Sequence, residues 1–190
     1  MPRATLDINV KAPEFSIVDI FGRTITLSEY RGKRVFIGFF RHAGCPFCNL
    51  RVHALQKQHE ALRELNMEMI FFFESKKRLL LTSTFHKEVN PIPIISDPEK
   101  AWYDTYGIET SAAKSAKSHL TSFIQQAIKA KMNKLPVYPM KEGESINTIP
   151  AEFLIDEEGV IRHLHYCNGL TDRMKMDHLF MFARKLEMVA

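Results

Sequence analysis

Cysteine is scarce in this chain, with three residues in 190. That count excludes a scaffold built from disulfides, which needs several bridges in a short sequence. Long apolar runs are missing too. The strongest, Met67–Phe73, is interrupted by Glu68 and falls far short of the roughly 20 residues that span a bilayer. No membrane partner is expected on that ground. The opening MPRATLDINVKAPEF has no apolar segment of the kind a secretory signal carries, so the expected location is cytoplasmic. Neither sign of charge dominates: 26 Lys and Arg stand against 22 Asp and Glu, a net +4. The basic residues are spread from Arg3 to Lys185 without a nucleic-acid-binding motif, so no nucleic acid partner is expected. Internal repeats and low-complexity tracts are absent. What remains is ordinary globular composition, 45% hydrophobic and 25% charged, in a length suited to one domain. The 14 Phe and 9 Met supply a well-filled core.

Apolar patterning predicts the order of elements. Residues 12–34 read as a hairpin turning at Phe21-Gly22-Arg23. Val35–Phe40 is a continuous apolar run, the pattern of a strand buried on both faces. Pro46 suits the first turn of a helix, and Leu50, Ala54, Leu55, Leu62 and Leu65 give that helix an apolar stripe to Asn66. Met67–Phe73 is the next strand, Lys76–Val89 a weaker helix, Ile92–Ser96 a short strand and Glu99–Tyr106 a short helix. Residues 108–148 differ in kind: six lysines face three acids, and a helix over Ala112–Lys131 precedes a loop with two prolines. This segment reads as an insertion that is solvated, covers the cysteines or forms a subunit contact. Ala151–Ile155 and Val160–Tyr166 form a second hairpin, and Asp172 is placed to cap a last helix ending near Val189. The succession gives an α/β three-layer fold with an N-terminal hairpin and a helical insertion.

The chemistry concentrates in RHAGCPFCNLR, residues 41–51. Cys45 and Cys48 lie three apart where a buried strand gives way to a helix. The positive end of a helix stabilises a thiolate, and Arg41, His42 and Arg51 add cationic character in sequence. Gly44 and Pro46 mark a turn and not a core stripe. A different reading is a metal site, in which Cys45 and Cys48 join His163, His165 and Cys167, three residues that alternate along one strand face. The plainer reading is an exposed polar face for His163 and His165 and a spare buried thiol for Cys167.

Ala12-Pro13-Glu14-Phe15, the Leu27–Lys33 run, the Val35–Phe40 strand, Pro93–Pro98 with Tyr106-Gly107-Ile108, and Ile149–Asp156 with Gly159 together carry a resemblance. They resemble the peroxiredoxin-like (alkyl hydroperoxide reductase/thiol-specific antioxidant) branch of the thioredoxin superfamily, in the group with CxxC in place of the usual TxxC. The resemblance implies a thioredoxin-like fold and a thiol-disulfide oxidoreductase that cycles a Cys45–Cys48 dithiol and disulfide. It implies a peroxide or disulfide substrate, an external thiol reductant of thioredoxin or glutathione type, no cofactor and a homodimer. It also places Pro150 where thioredoxins carry a cis-proline, beside the cysteines. Two registers compete for the attacking thiol. Thioredoxin logic assigns Cys45, expected to be the more exposed. The peroxiredoxin pattern Pro-x-x-x-Thr-x-x-Cys falls on Arg41, Cys45 and Cys48, and so assigns Cys48 to peroxide. That pattern's arginine before the later strand has no counterpart, because Pro150-Ala151 occupies the segment.

Overall fold

A computed structural model describes residues 4–141 and 143–186. Strands β1 (Ser16–Val18) and β2 (Thr24–Thr26) pair antiparallel as the opening hairpin. The Asp19 carboxylate holds their turn by accepting from the backbone N–H groups of Phe21 and Arg23, both at 2.9 Å. The main sheet has five strands: β3 (Arg34–Phe39), β4 (Met67–Phe73), β5 (Ile94–Ser96), β6 (Ala151–Ile155) and β7 (Ile161–Tyr166). Their spatial order is β5-β4-β3-β6-β7, with β3, β4 and β5 parallel and β6 and β7 antiparallel to their neighbours.

Both faces of this sheet are covered, which is why its central strands read as unbroken apolar runs. Phe36, Met69, Phe71, Phe73 and Leu154 face one layer, formed by helices α1 (Pro46–Glu64), α2 (Lys77–Thr82), α3 (Thr84–Glu88) and α6 (Met176–Ala183). Val35, Ile37, Phe39, Ile70, Phe72 and Phe153 face the other, where helix α4 (Ala101–Thr105) and the N-terminal segment pack. Asp97 seats α4 by accepting from the N–H groups of Ala101 (3.2 Å) and Trp102 (2.8 Å). Phe71–Phe73 is fully buried, as a core strand requires, whereas Trp102 is half-buried against the second layer. The arrangement is the expected thioredoxin-like α/β fold.

Several boundaries differ from the expected ones for local reasons. The weak helix over 76–89 breaks at Ser83, whose extended backbone and hydroxyl cap α3. The stripe of α1 runs through Cys48, Val52, Leu55, His59 and Leu62, because the sheet meets the helix one turn-face away from Leu50 and Ala54. Asp172 does not cap α6. It accepts from the Asn168 N–H at 2.7 Å and contacts His165 Nε2 at 2.9 Å, and Lys175 occupies the cap position. The expected helix end at Val189 lies outside the described residues.

The expected insertion leaves and rejoins the fold at one place. Thr110 bridges Thr148, Ser111 N–H donates to the Asn147 carbonyl at 2.8 Å, and Ile149 N–H donates to the Glu109 carbonyl at 2.9 Å. Between these ends, helix α5 (Ala112–Met132) packs against α1, and residues 136–140 and 146 return across the start of α1.

One core residue makes stability depend on pH. His86 is fully buried, edge-on to Phe73, and neither ring nitrogen has a hydrogen-bond partner among the described residues. Burial pushes its pKa down from 6.5 to about 3. The unfolded chain takes up this proton near pH 6.5 and the folded chain only near pH 3, so stability is complete above 6.5 and drains as pH falls between those values. His86→Leu is expected to stabilise by about 1–3 kcal/mol at pH 7, since it removes an unsatisfied buried polar group. It should also shrink the drop in unfolding temperature between pH 7 and pH 4.5. An unchanged drop would assign the acid sensitivity elsewhere.

Candidate active site

Helix α1 begins as its sequence requires. Cys45 is the extended N-cap residue (φ −74°, ψ 112°), Pro46 follows where no N–H is needed, and the Asn49 N–H closes the first helical bond onto the Cys45 carbonyl at 3.0 Å. The first turn contains no acid, so nothing offsets the helix's positive end beneath the two sulfurs.

Both thiols are fully buried, which corrects the expectation that Cys45 is exposed. The cover is the insertion. Asn49 Nδ2 donates to the Ala43 and Pro136 carbonyls at 2.8 and 2.9 Å, Arg41 Nη2 donates to the Ile146 carbonyl at 2.7 Å, and Tyr138 N–H donates to the Gly44 carbonyl at 3.4 Å. A pocket of about 400 Å³ remains under this cover, lined by Arg41, His42, Cys45 and Pro46 from the core. His119, Phe123, Tyr138, Met140 and Ile146 line it from the insertion. Cys45 faces this pocket and Cys48 does not. Of the three readings of residues 108–148, two hold together: the loop covers the cysteines, and the outer face of α5 is solvated.

The pair is electrostatically uneven. Burial alone pushes the Cys45 thiol up. The hydrogen bond from the Cys48 thiol and the Arg41 guanidinium overcome this and bring it down from 9.0 to about 6. The Cys48 backbone N–H adds to the effect without forming a cap bond. Cys48 goes the other way: burial, its hydrogen bond to Cys45 and the charge there hold its proton well above the ordinary thiol range. Arg41, itself fully buried, places Nη1 3.7 Å from Cys45 Sγ, and its backbone N–H donates to Cys48 Sγ at 3.4 Å. His42 is neutral, because burial, Arg41 and His119 push it down from 6.5 to about 3. Its Nδ1 lies 3.8 Å from Glu144 Oε2, a contact that carries no ion pair while the ring is neutral.

Other expected residues lie elsewhere. Arg51 points away from the thiols and forms a two-pronged pair with Glu152, at 2.7 and 2.8 Å. The Ile149–Pro150 bond is trans, since the cis peptide bond among the described residues is Asn90–Pro91. The Pro150 carbonyl accepts from the Cys167 N–H at 3.1 Å, so this residue steadies Cys167 and does not line the pocket. His163 stands edge-on to Phe182, His165 contacts Asp172, and Cys167 is buried, with Arg173 Nη1 at 3.3 Å. Among the described residues no group of three or more His, Cys, Asp or Glu can hold a metal. The five side chains of the metal reading are therefore not gathered into one metal-holding group, although Cys167 packs in the same buried cluster as Cys45 and Cys48.

Sequence reasoning missed Arg173, Glu152 and the ring of groups under the cover. Arg173 reaches in, largely covered, from the loop before α6 and lowers both Cys45 and Cys48, so a guanidinium serves the thiols from a segment with no motif. Glu152 was visible as a lone carboxylate in the apolar strand AEFLI. Glu74 and Ser75, at the end of β4, hold the returning loop. Glu74 accepts from the Ser145 N–H and the Thr148 hydroxyl at 2.9 and 2.7 Å, and Ser75 donates to Glu144.

The cover is fitted to a glycine. A Cβ on Gly44 would lie 2.4 Å from the Tyr138 carbonyl oxygen, which is backbone and has nowhere to go cheaply. Gly44→Ala is expected to cost about 1–3 kcal/mol, borne by residues 136–146. The open population of the cover then rises by roughly five- to a hundredfold, read as faster labelling of Cys45 by a bulky disulfide reagent relative to iodoacetamide. An unchanged ratio would mean that the cover does not limit access.

Comparison with known proteins agrees with this geometry. Residues 8–164 match the AhpC/TSA family. Peroxiredoxin 2 of Caldanaerobacter subterraneus is 29% identical over 157 residues, covering 78% of this chain and 69% of that protein. Peroxiredoxin 2 of Sulfurisphaera tokodaii is 26% identical over 173 residues, covering 85% and 80%. Peroxiredoxin Bcp of Escherichia coli is 26% identical over 98 residues; the match spans 51% of this chain and 62% of the relative, less than two thirds of its length. Among solved structures, the reduced 2-Cys peroxiredoxin of Plasmodium vivax superposes with a TM-score of 0.62 at 18% identity, covering 93% of this chain and 79% of that one. A Chlorobium tepidum structure described as a DsbE-type thiol:disulfide interchange protein gives 0.62 at 16%, covering 95% and 99%. With a family match over most of its length, a thioredoxin fold and a CxxC at the head of the first long helix, the chain belongs to the peroxiredoxin-containing AhpC/TSA family.

Proposed function

We propose that this protein is a thiol-disulfide oxidoreductase of peroxiredoxin type in which Cys45 attacks and Cys48 resolves. The observation that carries the reading is the uneven pair: Cys45 is held near pKa 6 and faces the pocket, while Cys48 keeps its proton behind it. The thiolate is the nucleophile, so Cys45 is charged at neutral pH and borders the pocket.

With a peroxide, the Cys45 thiolate attacks the nearer oxygen and the O–O bond breaks. The departing alkoxide or hydroxide takes a proton and leaves as alcohol or water. Cys45 is then a sulfenic acid. Cys48 loses its proton and attacks that sulfur, water departs, and the Cys45–Cys48 disulfide holds the two electrons' worth of oxidation. With a disulfide, Cys45 attacks one sulfur and expels a thiolate, and Cys48 then displaces the second thiol from the mixed disulfide. An external thiol reductant of thioredoxin or glutathione type restores the dithiol. Burial under the insertion favours small substrates over a disulfide on a folded protein. Arg41 is the supporting cation beside Cys45, His42 a neutral wall, and Pro46 the helix start that presents both thiols. The chain is read as one domain acting in the cytoplasm, where a reversible CxxC is kept reduced between turnovers, and as a homodimer by the frequency of twofold assembly.

Mild oxidation with one equivalent of peroxide is expected to give a Cys45–Cys48 bridge by peptide mapping. Alkylation of the reduced protein should accelerate with rising pH through a midpoint near 6, because the thiolate forms above that value. No such bridge, with Cys167 oxidised instead, would sink the proposal.

A further inference from the structure

Helix α5 carries apolar side chains on a face that the described residues leave exposed. Its inner side, with Ser115, Ser118 and Ala130 buried, rests on the body of the fold. Its outer side bears Leu120, Ile124, Ile128 and Met132 at intervals of four, which aligns them along about three turns. They are 91, 76, 56 and 80% exposed. Single exposed apolar residues are ordinary, whereas a contiguous stripe marks an interaction surface. Phe123, Met140 and Ile146, 37, 39 and 41% exposed, add apolar surface at the mouth of the Cys45 pocket.

Charge selects what covers it. α5 contains Lys114, Lys117, Lys129 and Lys131 and no acid. Lys114 is paired with Glu109 at 2.6 Å; the other three form no ion pair among the described residues. Lys117 sits at one end of the stripe and Lys129 and Lys131 at the other. Two copies pairing antiparallel along it would set Lys117 of one copy against Lys129 and Lys131 of the other, with no acid on either helix to offset the repulsion. A sheet of anionic lipid has the opposite sign. It also lets the lysine stems lie along the apolar surface with their ammonium groups at the headgroups. A helix of this kind lies in the interface and does not cross it, consistent with no helix being long and apolar enough to cross a membrane among the described residues.

We propose that α5 docks this protein on anionic phospholipid surfaces, with Leu120, Ile124, Ile128 and Met132 among the acyl chains and Lys117, Lys129 and Lys131 at the headgroups. The pocket mouth then faces the bilayer. The inference stands apart from the thiol chemistry: no cysteine touches lipid, so Cys45→Ser is expected to bind as the parent does.

The test is co-sedimentation of the whole protein with vesicles of three parts phosphatidylglycerol to seven parts phosphatidylcholine, against pure phosphatidylcholine. Binding is expected to the anionic vesicles only, and release is expected in high salt as the charges are screened. Ile124→Glu with Ile128→Glu should abolish it. Lys117→Gln, Lys129→Gln and Lys131→Gln together should weaken it about a hundredfold. All five positions are exposed, and an unchanged circular dichroism spectrum confirms that each variant folds. Equal binding to neutral vesicles, no binding to anionic ones, or binding that survives Ile124→Glu with Ile128→Glu would overturn the proposal. So would a solution dimer that this double variant dissolves, which would make the stripe a self-interface.

Discussion

Cys45→Ser is expected to lower turnover with peroxide or small disulfide by at least about a thousandfold, as loss of an activated nucleophile does. Serine fills the space but offers no thiolate. Cys48→Ser should behave differently. Its hydroxyl still donates toward Cys45, so the first attack survives, but nothing resolves the product. A disulfide substrate should then remain attached to Cys45, and peroxide should leave a sulfenic acid there, both visible by intact mass. Single-turnover consumption of one equivalent followed by arrest is the expected kinetic trace. A sulfenic acid that forms on Cys48 in Cys45→Ser at the parent's rate would restore the peroxiredoxin register and reverse the two roles.

Glu152→Ala should bring the largest loss of stability. Glu152 is fully buried in β6, pairs with Arg51 through both oxygens, accepts from the Met174 N–H at 2.9 Å and lies 3.9 Å from Arg173 Nε. Removing it strands two largely buried guanidinium groups, at a cost of about 3–5 kcal/mol. For a chain of this size that is roughly 6–20 °C in unfolding temperature. The chemistry should move as well, because Arg173 loses the carboxylate that places it near the thiols. The midpoint of Cys45 alkylation is therefore expected to shift even at temperatures where the variant remains folded. A shift in unfolding temperature of under 2 °C would show that Arg51 and Arg173 find other partners or water.

The fold was legible because its strands are buried on both sides. Val35–Phe40 and Met67–Phe73 admit almost no polar residue, and that pattern needs a layer above and below. The thiol pair was legible for a local reason: Cys45, Pro46 and Cys48 sit on one turn, where spacing in sequence is spacing in space. Arg173 was not legible, and the cover was legible only as one of three readings of the insertion. They reach the thiols from residues 133–148 and from the loop before α6, through contacts that no periodicity encodes. The exposed-Cys45 expectation failed for the same reason, since a helix start is open only if nothing folds back over it. Arg51 shows the converse error: it is adjacent in sequence, yet helical rotation aims it at Glu152.

The order of strands has a consequence for synthesis. β3 pairs with β4 on one side and with β6 on the other. More than a hundred residues separate Phe39 from Ala151, so the second side of β3 has no partner until that stretch has been made. At ~5–20 residues per second, a nascent chain carries that bare edge for roughly 5–20 s. The edge belongs to VFIGFF, an apolar run without a charge to discourage pairing with a neighbouring chain. The insertion lengthens that wait. An element that shelters the thiols in the finished protein thus prolongs the interval in which the unfinished one depends on dilution or chaperones to stay unassociated.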